Sequence, residues 1–148
     1  MTPITDDILR EIFQGTRVIA LVGASLKPER ASHRVGAFLS GLGYRVIPVN
    51  PGHAGKTLWG ETIRASLADC PPDVDMVDIF RKSEDVSPVV DVALAELPNL
   101  NTVWMQLGIV HEGAAEKARA QGVRVIMDRC PKIEYPRLFG PAQRADIA

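Results

Sequence analysis

Two thiols, Cys70 and Cys130, and three histidines, His33, His53 and His111, are the side chains of this 148-residue sequence best suited to nucleophilic or acid–base work. Their spacing does not assemble them. There is no C-x-x-C pair, no H-x-x-x-H and no carboxylate–histidine spacing of the kind that holds zinc. Asp75 and Asp78 flank a short apolar run, as a strand-start residue and as a partner for a basic loop residue, and do not form a pair committed to proton transfer. The stronger chemical signal is anion binding. Gly23-Ala24-Ser25 follows a run of apolar residues, and Lys27 and Arg30 come just after it, so a backbone turn, a hydroxyl and two cations lie together before a helical stretch. The same glycine also fits a plain strand-to-helix turn. Gly55-Lys56-Thr57 looks like the end of a Walker A loop, but the motif needs glycine where this chain has Asn50, and that reading is rejected.

These residues are positioned by an alternation of strands and helices. Apolar runs at residues 17–22, 45–49, 75–80, 102–105 and 124–127 read as five strands without polar alternation, the pattern of a sheet covered on both faces. Helical spacing appears at residues 4–13, at 32–42 with Ser32 as cap and Gly43 as stop, at 83–97 with an irregularity at Pro88, and at 112–121. Pro48 places the second strand at an edge or near its own end. The segment from Arg129 onward reads as irregular, with a polar end. The predicted fold class is therefore α/β: a Rossmann-like, doubly wound sheet of about five parallel strands in three α/β/α layers. It forms one domain over residues 1–148, with its core at about 15–140.

Right-handed crossovers place the ligand crevice of such a sheet at the carboxyl ends of its strands. Five loops gather there. The first is the Gly23 turn. The second opens with Asn50 and Pro51 and contains His53 and Lys56; because the strand ends in Asn50 and not in an acid, it lacks the residue that reads an NAD ribose. The third is Phe80-Arg81, an aromatic beside a guanidinium and a candidate platform for adenine, though Phe80 also fits as the last core residue of its strand. The fourth holds Gln106 and Gly108, and the fifth Cys130, either a reactive thiol or an inert one.

Composition narrows the classes. Seventeen basic against eighteen acidic residues give a formal net charge of -1, which argues against a nucleic-acid partner. No apolar run reaches the ~18 residues of a membrane span. Two distant cysteines fit a reducing compartment, and the expectation is a cytoplasmic protein.

VGAS at 22–25, GYRVIPVNP at 43–51, VDIFRK at 77–82, VWMQLGI at 103–109 and DRCPKIEY at 128–135 together resemble the small stand-alone CoA-binding proteins, relatives of the CoA-binding domain of succinyl-CoA synthetase. The resemblance implies a coenzyme A site across the strand ends. Gly23, Ala24 and Ser25 would hold the pyrophosphate, beside the cations Lys27 and Arg30 already noted in that loop, and Asn50 and Pro51 would line the nucleotide side. His53 or Lys56 would meet a phosphate. Phe80 and Arg81 would flank the adenosine, Gln106 and Gly108 would face the pantetheine path, and Cys130 would lie near its far end. The function implied is a non-catalytic carrier or sensor of CoA or acyl-CoA, as monomer or homodimer. An acyl-CoA hydrolase or transferase using Cys130 or a histidine, and an NAD-responsive redox module, are the alternatives. A further expectation is a mixed disulfide between Cys130 and the CoA thiol under oxidation.

Overall fold

The structure, a computed structural model, describes residues 3–148; Met1 and Thr2 of the span read as one domain lie outside it. Helix α1 (Asp6–Gly15) is capped by the Thr5 hydroxyl and turns Leu9, Ile12 and Phe13 inward. Strand β1 (Val18–Val22), helix α2 (Ala31–Leu42) and strand β2 (Arg45–Val49) follow. A hairpin of β3 (Thr57–Leu58) and β4 (Glu61–Thr62) comes next, then β5 (Met76–Ile79), α3 (Val86–Glu96), β6 (Thr102–Met105), α4 (Glu112–Ala120), β7 (Arg124–Ile126), α5 (Pro131–Phe139) and α6 (Arg144–Ile147).

Five of these strands form one parallel sheet in the order β2-β1-β5-β6-β7. The fold is the Rossmann-like α/β class expected from the uninterrupted apolar runs. Both faces of the sheet are covered, which is why β1, β5 and β6 are buried at every position. On one face Ala20, Ile47, Val77 and Val103 pack against Val90 and Ala93 of α3 and Ala115 and Ala118 of α4. On the other, Ile19, Leu21, Met76, Trp104 and Ile126 pack against α1, α2 and α5. β2 is an edge strand, as Pro48 requires. Its outer side is partly paired by Arg64, whose N–H donates to the Pro48 carbonyl and whose carbonyl accepts from Asn50.

Three local expectations are corrected. Ser32 is not the cap of α2: the helix begins at Ala31, Arg30 occupies the cap position in extended conformation without a side-chain bond, and Ser32 is buried in the first turn. The irregularity expected at Pro88 lies upstream of it. A 3-10 turn at Ser83–Asp85 leads into α3, and Pro88 falls in the first turn of α3, where a missing N–H costs little. The segment after Arg129 is not irregular. Pro131 opens α5, and α5 continues through Pro136 because Tyr135 is fully buried against Phe13, Phe38, Tyr44 and Phe139. Arg137 binds Asp6 at 2.9 Å, and the Arg144 Nε donates to the Thr16 carbonyl, so residues 131–147 close over α1.

Asp78 is the outlier of the sheet. It stands in the central strand β5, level with Leu21 on one side and Trp104 on the other, fully buried, and neither carboxyl oxygen has a hydrogen-bond partner among the described residues. Burial holds its carboxyl well above the ordinary carboxylate range. The native state therefore retains a proton that the unfolded chain releases near its ordinary value. Stability is greatest below that value and falls as pH rises toward the raised native one, by about 1.4 kcal/mol per pH unit. Asp78→Asn is expected to flatten this slope: between pH 5 and 8 the wild type should lose melting temperature while the variant holds its own. Parallel pH profiles of the two proteins would refute a neutral Asp78.

Candidate functional site

The carboxyl ends of β1, β2, β5 and β6, with the loop after β7, frame three cavities. The first, about 350 Å3, lies against the start of α3 beyond β1 and β2. Val22, Val49, Pro51, Leu67, Pro88 and Val89 make it apolar, and Arg81 stands at its edge, 3.6 Å from Asp85. The second, about 690 Å3, lies over the Gly23 turn and the start of α2 and is lined by Gly23, Ala24, Ser25, Lys27, Arg30, Asn50, His53 and Phe80. The third, about 490 Å3, lies beyond β5 and β6, with Phe80, Gln106, Ile109 and Cys130 in its wall and Arg34, Arg81 and Lys132 around it. Phe80 is shared by the second and third cavities, and Arg81 by the first and third.

The Gly23 turn is built with little freedom. Gly23 has a φ of 90°, and a Cβ there would come within 2.4 Å of the Phe80 carbonyl oxygen. The glycine is required first for this approach of two loops and only then for access of a ligand. The N–H groups of Gly23 and Ala24 both donate to the Val49 carbonyl, at 2.9 and 3.2 Å. The Asn50 side chain donates to the Ala24 carbonyl and accepts from the Gly52 N–H, so its amide ties the first loop to the second. The Ser25 hydroxyl accepts from the Lys27 N–H, and its carbonyl is 2.9 Å from Nδ1 of His33. Above this turn the first amides of α2 point toward a cavity lined by Lys27, Arg30 and His53. That is the equipment of a phosphate site.

The expected site residues are distributed as follows. Gly23, Ala24, Ser25, Lys27, Arg30 and Asn50 come together in the second cavity; Gln106 and Cys130 come together in the third. Pro51 and Arg81 line the apolar first cavity, while Phe80 stands between the other two. Of the two residues weighed for a phosphate, His53 lines the basic cavity and has a buried Nδ1 without a partner, whereas Lys56 is exposed and lines none of the three. Gly108 also lies outside them. Its φ of 77° shapes the loop, and its N–H donates to the Asp128 carboxylate at 2.7 Å.

Arg34, Ser66, Leu67, Val89 and Lys132 also line these walls. All but Lys132, which follows Cys130 in the last strand-end motif, stand on helices and connecting turns away from those motifs, and the packing of α2 and α3 brings them to the crevice. The hairpin was likewise absent from the sequence pattern. Its two-residue turn, Trp59-Gly60, has positive φ at both positions, and the Trp59 ring fits so closely over Gly36 of α2 that a Cβ there would come within 2.1 Å of it.

Of the remaining chemical groups, the His111 Nδ1 accepts from the Ala114 N–H as the cap of α4. Cys70 is half-buried, and burial pushes its thiol up to about 11. No histidine lines the cavity that contains Cys130. Among the described residues no cluster of three or more His, Cys, Asp or Glu could hold a metal ion, and no helix is long and apolar enough to cross a membrane.

A parallel sheet in this order, covered by helices on both faces and with its crevice at the strand ends, defines a Rossmann-like α/β protein. The family model described as CoA binding domain matches residues 17–136, and the chain belongs to that family. It is 35% identical over 127 residues to the uncharacterized protein YneT of Bacillus subtilis, covering 86% of this chain and 91% of that one. It is similar in structure to cell-free ID.343 of Thermus thermophilus, with a TM-score of 0.86 and 37% identity over 92% of this chain and all of that one. At 25% identity and a TM-score of 0.63, 82% of the chain also matches 27% of acetyl-coenzyme A synthetase 1 of Ca. Korarchaeum cryptofilum.

The contact between Gly23 and Phe80 is directly testable. Gly23→Ala forces a methyl group against a backbone carbonyl and is expected to lower stability by about 1–3 kcal/mol in urea melts. Gly15→Ala, at a position with nothing within 4 Å, is the control and should leave stability within about 0.5 kcal/mol of wild type.

Proposed function

We propose that this protein binds coenzyme A or an acyl-CoA as a cytosolic, single-domain carrier or sensor. The observation that carries the reading is that three cavities of different chemistry meet at the strand ends: one apolar, one basic, and one ending at a buried Gln106 and Cys130, which shares Arg81 with the first and Phe80 with the second. Coenzyme A has parts of all three chemistries. Its adenine is flat and apolar on its faces, its pyrophosphate is anionic, and its pantetheine arm is neutral, carries amides and ends in a thiol. Two buried polar atoms without partners, His53 Nδ1 and Gln106 Oε1, belong to residues that line the phosphate and pantetheine cavities, where a bound phosphate and a bound amide would satisfy them.

In this reading the start of α2, Ser25, Lys27, Arg30 and His53 hold the pyrophosphate. The adenosine enters the slot between Pro51 and Val89, with Arg81 above it, and the pantetheine arm passes Phe80 toward Gln106 and Cys130. Asn50 is a positioning residue: both ends of its side chain are engaged with backbone, which leaves nothing to read a ribose hydroxyl as an NAD-binding acid does. A Cys–His hydrolase would need a base beside Cys130, and the three histidines are placed elsewhere.

Isothermal titration with CoA, NAD and ATP tests this. Saturable CoA binding, at least about 10-fold tighter than NAD, is expected. Ser25→Asp places a carboxylate in the basic cavity and should weaken CoA binding by at least that factor, and rising salt should weaken the wild type. Preference for NAD, or CoA binding unmoved by Ser25→Asp, would overturn the assignment.

A further inference from the structure

We propose that the cavity at Cys130 is built for an acyl group that itself carries a carboxylate, so that the preferred ligand is the CoA thioester of a dicarboxylic acid. The proposal rests on the coenzyme A reading and extends it from the cofactor to its cargo. Three cations, Arg34, Arg81 and Lys132, line this cavity, and no acidic residue does. A pantetheine arm has no charge and needs none of them. The phosphates, which do, have Lys27 and Arg30 in the adjoining cavity.

The carboxylates that could have neutralised this end are engaged elsewhere. Glu134 accepts from Arg129 and Arg137, both at 3.0 Å, and Asp128 accepts from the Gly108 N–H. Of the three cations of the cavity only Arg81 is paired among the described residues, with Asp85 at 3.6 Å. Arg34 and Lys132 have no ion-pair partner among the described residues: Arg34 donates to the Glu29 carbonyl, and the Lys132 ammonium lies 5.7 Å from the centre of the Phe38 ring.

Two further features give the charge a direction. α5 begins at this cavity with Cys130 as its cap residue and Pro131 at its first position, and Cys130 makes no side-chain capping bond, so the positive end of the helix faces the thiol end of the site. Gln106 is 95% buried in the cavity wall and its Oε1 lacks a partner. Its amide is available to the neutral atoms of the arm, leaving the cations to the far end of the acyl chain. Leu107 and Ile133, both more than half exposed, flank the same cavity, and apolar neighbours strengthen an ion pair by excluding water.

The test compares thioesters that differ only in a terminal carboxylate: malonyl-CoA against propionyl-CoA and succinyl-CoA against butyryl-CoA, by isothermal titration at low salt. The carboxylated member of each pair should bind about 10-fold tighter. The double variant Arg34→Met, Lys132→Met should abolish that ratio while leaving the affinity for free CoA within about threefold, and Lys132→Arg should retain it. Equal or weaker binding of the carboxylated members, or a preference that survives in the double variant, overturns the proposal with CoA binding intact. Failure of free CoA and all four thioesters to bind overturns the underlying reading as well.

Discussion

A single close approach, the Gly23 backbone against the Phe80 carbonyl, sets the geometry of the whole crevice. Any side chain at position 23 would collide with that carbonyl, and the positive φ of Gly23 turns the chain so that its own N–H and that of Ala24 both reach Val49. The Phe80 N–H in turn donates to Val22 at 2.8 Å. The ends of β2, β1 and β5 are thereby locked to one another at the point where the polypeptide leaves the sheet. Asn50 adds a side-chain tie from the second loop to the first. Because three loops share one anchor, the basic cavity has a fixed floor, and Phe80 is held as the divider between it and the cavity at Cys130.

The two faces of the sheet contribute differently to this site. The α3 and α4 face is packed from small aliphatic residues, many of them alanine, and supplies the apolar slot beside Pro51. The α1, α2 and α5 face is aromatic, centred on Tyr135, Trp104 and Phe13, and supplies the cationic walls through Arg34 and Lys132. The charge pattern of the crevice thus follows from which helices cover which face. A chain with near-zero net charge places its cations at one rim while its ion pairs, such as Arg45–Glu61 and Arg137–Asp6, lie elsewhere.

The sheet was legible because a strand buried on both faces must be continuously apolar, and TVWM at 102–105 matches β6 residue for residue. The Gly23 turn was legible because a glycine between a first strand and a helix permits the tight positive-φ turn that this structure has. What escaped were features set by tertiary packing. Helix α5 contains Pro136, which local propensity reads as a break, and it persists because burial of Tyr135 outweighs one lost hydrogen bond. The hairpin strands are two residues each, too short to show alternation, and the only trace was a tryptophan before a glycine. Asp78 read as a partner for a basic loop residue and instead has no hydrogen-bond partner among the described residues. The family resemblance left His53 and Lys56 as alternatives for a phosphate contact, and of the two His53 lines the basic cavity while Lys56 is exposed.

Tyr135 packs against Phe13 from α1, Phe38 from α2, Tyr44 at the start of β2 and Phe139 on its own helix, so one aromatic cluster joins the earliest elements of the chain to nearly the last. During synthesis that cluster has no centre until residue 135 has left the ribosome. The Gly23 turn and the apolar slot are complete far earlier, by residue 92. Every lining residue of the apolar and basic cavities is therefore synthesised before Cys130 and α5. The cavity at Cys130 is the last of the three to receive its full wall.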